Sequence, residues 1–308
     1  MMQISDDRAL AKQAYLAHLA LLTVQILFGT LPVIGKTVLQ KMPAISLVGI
    51  RVGVTAMALI LIQRYRGNLK LTEKSDYLKL FLLSFFGVTF NQILFIGGLS
   101  LTKASNVSLL AATIPVFTFG ISSLMGNEAF YKIKLIGILT AACGVLILIN
   151  AHEVSFSSDT TIGDVMIILN SLSYGIYVAI SKNVILRNGP IKSVTWLFIF
   201  ASIFCVPTGM LQLFRTEISS VPFNLWILTL YIAIFATLVP YLLNAFALTK
   251  VNPSSVAVYI YLQPLIGFFS AVLILKEEIT TSSLLAATLI MVGVFLTTKP
   301  HRNQLSSG

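Results

Sequence analysis

Charge is what this chain has least of. Only 10% of its 308 residues are Asp, Glu, Lys or Arg, while 56% are hydrophobic; soluble domains carry about 25% charged residues. That is too little polar surface to cover a water-soluble globule. Long apolar runs recur along the chain, so the expected solvent is lipid. Cysteine is scarce too: Cys143 and Cys205 both fall inside apolar runs, where buried thiols are expected and no disulfide framework is visible. The chain also lacks a His/Cys ligand cluster, a phosphate-cradling Gly-rich loop and a nucleophile–base pair with a plausible acid. No enzyme, metal or cofactor is therefore expected, and ATP-driven transport would need a partner chain. The first fifteen residues are polar and no small-residue cleavage site follows the first apolar run, so no cleaved leader is expected.

Lys and Arg exceed Asp and Glu by 10, yet they sit in short gaps between apolar runs and not on one face. The partners expected are a lipid bilayer and a small-molecule metabolite, with no nucleic acid. A membrane crossing needs roughly 20 apolar residues. Ten spans are expected, near residues 16–36, 44–63, 77–98, 104–125, 133–150, 163–181, 191–212, 223–246, 254–275 and 282–298. Residues 1–15 and 299–308 form the two ends. With the N-terminus inside, fifteen Lys and Arg fall in inside segments, five fall outside and Arg51 lies within a span. This threefold bias predicts a multi-pass protein of the inner cell membrane with both termini cytoplasmic.

The chain repeats itself. Pro115, Glu128 and Gly144 recur as Pro264, Glu277 and Gly293, each 149 residues later. Upstream, FGTLPVIGK from Phe28 matches YGIYVAISK from Tyr174 at an offset of 146. Pro43 matches Pro190 and Leu101-Thr102-Lys103 matches Leu248-Thr249-Lys250, both at 147. The unit is five spans, residues 16–150 and 163–298. Five is odd, so the second copy enters the membrane from the opposite side. The expected fold is an all-α integral membrane protein with ten transmembrane helices in two inverted five-helix repeats.

Four features occur in order: Arg51 early in span 2, the ASNVSLLAATIP run into span 4, Gly126-Asn127-Glu128 at its end, and the SSVAVYIYLQP…KEE…MVGV echo. This set resembles the drug/metabolite transporter superfamily, specifically its EamA-type branch, over about residues 18–298. The chain departs from the branch's usual pattern in having Asn127 before Glu128, Lys276 before Glu277, and Phe28-Gly29 in place of Trp-Gly. The resemblance implies transport; the branch carries amino acids, nucleotide derivatives, amines and drugs.

All eleven acids lie at span ends or in loops: Asp164 opens span 6, and Glu128, Glu277 and Glu278 close spans 4 and 9. A proton relay on a mid-membrane carboxylate is therefore not expected, which favours a uniporter, an exchanger or an exporter driven by its substrate's gradient. His18, about one turn inside span 1, is either an interfacial histidine or a titrating group. Arg51 stands eight residues past Pro43, roughly 12 Å deep at 1.5 Å per residue. It either bonds backbone carbonyls of a neighbouring helix or counters a carboxylate or phosphate; its echo position holds Phe198. Asn170, Tyr174 and Tyr177 share one face of span 6, and their polar groups should look inward. Spans 8, 9, 3 and 1 add Tyr241 and Asn244, Tyr259 and Gln263, Asn91 and Gln92, and Gln25 and Phe28. These residues either bind substrate through hydrogen bonds and ring faces or join helices. Pro115 and Pro264 break their spans at matched depth and are candidate gating hinges. Gly97-Gly98 should allow close helix approach. Glu128 and Glu277 should favour the positive N-termini of spans 5 and 10.

The expected function is secondary transport, with export favoured, of a small amino-acid-like or other polar metabolite by alternating access. The alternatives are multidrug efflux of lipophilic cations, or a membrane receptor or scaffold that kept the fold. Two halves in one chain can form a cavity as a monomer, which leaves a homo-oligomer open.

Overall fold

The structure, a computed structural model, describes residues 2–67, 69–149, 159–215, 221–266 and 280–299; for 2–12, 104 and 105 it describes backbone only. Every described element is helical, because a backbone in hydrocarbon must satisfy its own hydrogen bonds. The helices are α1 (Met2–Leu39), α2 (Ala44–Arg66), α3 (Lys74–Ser84), α4 (Phe90–Leu101), α5 (Ala104–Ala111), α6 (Ile114–Leu124), α7 (Lys132–Leu148), α8 (Thr161–Asn188), α9 (Pro190–Phe214), α10 (Phe223–Ala233), α11 (Val239–Leu248), α12 (Pro253–Val258) and α13 (Thr281–Thr298).

Eight segments are long and apolar enough to cross a membrane, and they match expected spans 1–4, 6–8 and 10. Span 5 corresponds to α7, which has 17 residues. Span 9 starts as α12, tightens to a 3-10 turn at Tyr259–Tyr261 and continues helically to 266. Its remainder, with Lys276, Glu277 and Glu278, lies outside the described residues, so for spans 5 and 9 the count of ten rests on the sequence.

The packing is that of a pseudo-two-fold pair. Each of α7 and α2 lies against its own later copy, α13 and α9. α4 packs on α8 as α11 packs on α1, which pairs the third span of each half with the first span of the other. Glycines set the closest approaches. A Cβ on Gly144 would meet Ala286 O at 2.8 Å, and one on Gly137 would meet Gly293 O at 2.8 Å. Gly144 and Gly293 are 149 residues apart, as are Gly137 and Ala286, so the two helices exchange equivalent contacts as across a two-fold axis. Gly49 of α2 meets Gly209 of α9 backbone to backbone: a Cβ on Gly49 would lie 2.7 Å from Gly209 Cα. Gly98 approaches Gly163 and Ile167 of α8 in the way its sequence setting suggested.

Two features interrupt the helices, and both occur twice. Spans 3 and 8 each widen into a π-turn, Phe85–Thr89 and Ile234–Leu238, again 149 residues apart. A π-turn releases carbonyls from the regular ladder, and here polar side chains from neighbouring helices take them up. Tyr241 donates to Gly87 O, Ser173 to Phe86 O and Arg51 to Ala236 O. Spans 4 and 9 break one turn before their prolines. Ala112 and Thr113 separate α5 from α6, and the 3-10 turn occupies the matching place before Pro264. The missing proline N–H explains why both spans yield at that depth.

Candidate functional site

These interruptions surround one point. A cavity of about 80 Å³ lies between the halves. The first half lines it with Phe28, Leu31, Arg51, Asn91, Gln92, Phe95, Ala111 and Ile114; the second does so with Asn170, Tyr174, Tyr241, Ile260 and Gln263. Ala111, Ile114, Ile260 and Gln263 flank the two breaks, so the irregular backbone of spans 4 and 9 faces the cavity and not lipid. Gln92 and Tyr241, themselves 149 residues apart, touch across the pseudo-axis: Gln92 Nε2 donates to Tyr241 Oη at 3.1 Å.

Eight residues singled out in the sequence line this cavity: Phe28, Arg51, Asn91, Gln92, Asn170, Tyr174, Tyr241 and Gln263. The other four stand behind it. Gln25 accepts from Gln263 Nε2 at 2.8 Å, and Asn244 Nδ2 donates to Tyr174 Oη at 3.1 Å. Tyr259 Oη bonds His18 Nδ1 at 2.8 Å, so His18 is tied to span 9. The Tyr177 ring lies where a Cβ on Gly87 would be, 2.5 Å from its nearest atom. Pro115 and Pro264 follow the two breaks. Leu31, Phe95, Ala111, Ile114 and Ile260 escaped sequence reasoning because they are apolar residues in apolar runs. A signal existed for Phe95, four residues after Asn91, and for Leu31, three after Phe28, each on the same helical face as a residue singled out.

The lining polar groups are largely engaged with one another. Asn170 Nδ2 donates to Asn91 O at 2.8 Å, and Asn91 Oδ1 lies 3.3 Å from the Tyr241 hydroxyl. Arg51 is the one charged side chain among the lining residues, and it is 1% exposed. Its Nε donates to Thr237 Oγ1 and its Nη2 to Ala236 O, both at 2.9 Å. Its Nη1 is buried without a hydrogen-bond partner among the described residues. Of the two sequence alternatives for Arg51, the bond to a neighbouring carbonyl is present, and the same side chain lines the cavity. A cation at mid-helix costs about 3 kcal/mol on insertion scales.

Glu128 stands by the first turn of span 5, as expected, and reaches further. It is buried, ion-paired to Lys134 in the first turn of α7, and accepts from Ser254 N at 3.1 Å and from Ser254 Oγ. It therefore joins the first turn of span 5 to the start of span 9, in the opposite half. At the other end of the bundle Asp164 of α8 accepts from Thr102 Oγ1 and Asn106 Nδ2, at the start of span 4. Each end has a buried carboxylate that ties one half to the other. No group of three His, Cys, Asp or Glu among the described residues could hold a metal ion.

Comparison with known proteins agrees with this architecture. The model of the EamA-like transporter family matches residues 15–150 and again 161–299, one match per half. An uncharacterized transporter of Archaeoglobus fulgidus is 29% identical over 230 residues, 74% of this chain and 78% of its own length. The uncharacterized transporter YetK of Bacillus subtilis is 24% identical over 292 residues, 94% of this chain and 88% of its own. A solved protein crystal structure shares the fold at a TM-score of 0.71 and 16% identity, over 92% of this chain and 96% of that one.

Proposed function

The chain belongs to the EamA-like transporter family, and on that premise we propose that it exports a small amino-acid-like or other polar metabolite by alternating access. It is a multi-pass membrane transporter and not an enzyme. The observation that carries the finer reading is the cavity between the halves, lined by amides, phenols and one arginine from both repeats. Neutral donors and acceptors orient a polar cargo, and the rings of Phe28, Tyr174 and Tyr241 supply apolar contact. Among the described residues no acid lines the cavity, which speaks against a carboxylate that alternates there between proton and cargo. That favours a uniporter, an exchanger or an exporter, and we take export, in which a cytoplasmic metabolite runs outward down its own gradient. The same absence, with Arg51 present, speaks against lipophilic cations. Pro115 and Pro264 would serve as hinges, since both breaks border the cavity. The proposed location is the inner cell membrane with both termini cytoplasmic, the orientation that the Lys and Arg bias favours.

The test is uptake into proteoliposomes of the purified chain, using labelled amino acids, amines and nucleotide derivatives with and without a pH gradient. One class should move without needing the gradient. Tyr174→Ala, which removes a ring from the cavity and the partner of Asn244, should slow it at least tenfold while the protein stays folded. Uptake that depends on the pH gradient would overturn the uncoupled mechanism and turn attention to His18.

A further inference from the structure

We propose that the cargo carries an anionic group, a carboxylate or a phosphate, and that Arg51 is its counter-charge in the cavity; this rests on the transporter reading above. The argument comes from the two matched π-turns. Gly87 and Ala236 hold equivalent positions in them, 149 residues apart. Gly87 O accepts from the Tyr241 hydroxyl, and Ala236 O accepts from Arg51 Nη2. A neutral phenol does for one turn what a guanidinium does for the other. The turn needs a donor and not a cation.

The position that matches Arg51 in the second half is Phe198, fully buried and packed edge-on to Tyr241 at 4.9 Å between ring centroids. The fold therefore accepts an uncharged side chain at this depth. The charge of Arg51 is surplus to the packing, and its burial is unfavourable unless an opposite charge arrives. None of the described ion pairs includes it. Its Nε and Nη2 are fixed by Thr237 and Ala236, while Nη1 is buried without a partner among the described residues. A guanidinium anchored along one side is a preoriented planar donor, and that geometry suits carboxylate and phosphate. The amides of Asn91, Gln92 and Asn170 bring further hydrogen-bonding capacity to the same cavity without adding charge.

The experiment uses proteoliposomes of the full chain loaded with yeast extract, a mixture of amino acids, nucleotides, organic acids and amines. Mass spectrometry follows what leaves, against protein-free liposomes. The expected result is loss of compounds bearing a carboxylate or a phosphate; which of the two they bear separates the two sources of the anion. Arg51→Met should slow that loss at least tenfold, and Arg51→Lys should give an intermediate rate, having the charge without the fork. Loss confined to amines or uncharged compounds would overturn the proposal and leave transport standing. So would loss of anions at an unchanged rate through Arg51→Met. If nothing leaves, the transporter reading falls and this one falls with it. Should Arg51→Met fail to fold by size-exclusion chromatography, the charge class of the native cargo and the Arg51→Lys rate decide.

Discussion

Glu128 and Lys134 form a buried pair with side chains 0% and 2% exposed. Removing one member of such a pair strands the other charge. Glu128→Gln still accepts from Ser254 but leaves Lys134 uncompensated, so a loss of about 3 kcal/mol is expected. Lys134→Met should cost a similar amount, and the double variant less than the sum. Thermal unfolding of the four proteins in detergent measures this; strict additivity would mean that the two charges do not feel each other. The partner across the gap was the part the sequence hid. An acid closing one helix naturally suggests the next helix in the chain, yet its hydroxyl and amide donors stand at Ser254, 126 residues away. Arg51 was legible as a costly intramembrane charge. Its bonding partners were not, because Ala236 and Thr237 look like any small residues in an apolar span.

At the scale of elements, glycine separates helices that must touch from helices that merely pass. In α7, a Cβ at Gly144 would press on Ala286 O at 2.8 Å and Ile290 N at 2.9 Å. These are backbone atoms, so α13 must move away, and Gly144→Ala should cost about 1–3 kcal/mol. Gly120 of α6 has nothing within 4 Å of its notional Cβ. There Gly120→Ala should be neutral or gain up to about 1 kcal/mol from helix propensity. Melting temperatures of both variants test this; equal shifts would mean that the α7–α13 contact is looser than drawn. The repeat of Gly144 as Gly293 was visible in the sequence, as was the recurrence of Pro115 as Pro264. The π-turns were not. FFGVT and IFATL share no breaker, and the extra residue is held by side chains from other helices, Tyr241, Ser173 and Arg51. Local sequence cannot reveal a distortion whose stabilising partners are remote.

For the whole molecule, the alternating access we propose requires that the two ends open one at a time, and a buried carboxylate ties the halves at each. Asp164 holds the start of span 4 through Thr102 and Asn106; Glu128 holds the start of span 9 through Ser254. Both bonds join one half to the other, and both act on spans that are broken beside the cavity. Trimming one donor at either end should therefore shift the balance toward opening at that end. A hydrogen bond to a charged group contributes about 1.5–3 kcal/mol, and each 1.4 kcal/mol is about a tenfold change in population. With Cys143 and Cys205 replaced by Ala, the Ala111→Cys thiol in the cavity wall reports the state through labelling by an impermeant maleimide added outside intact cells. Under the proposed orientation Thr102→Val, which releases the outer end, should raise the labelling rate about tenfold. Ser254→Ala, which releases the inner end and leaves the Glu128–Lys134 pair intact, should lower it. The reverse pattern would invert the orientation and keep the mechanism. Equal labelling in both variants would mean that the ties join the halves without controlling access, and the hinges beside Pro115 and Pro264 would have to set the balance alone.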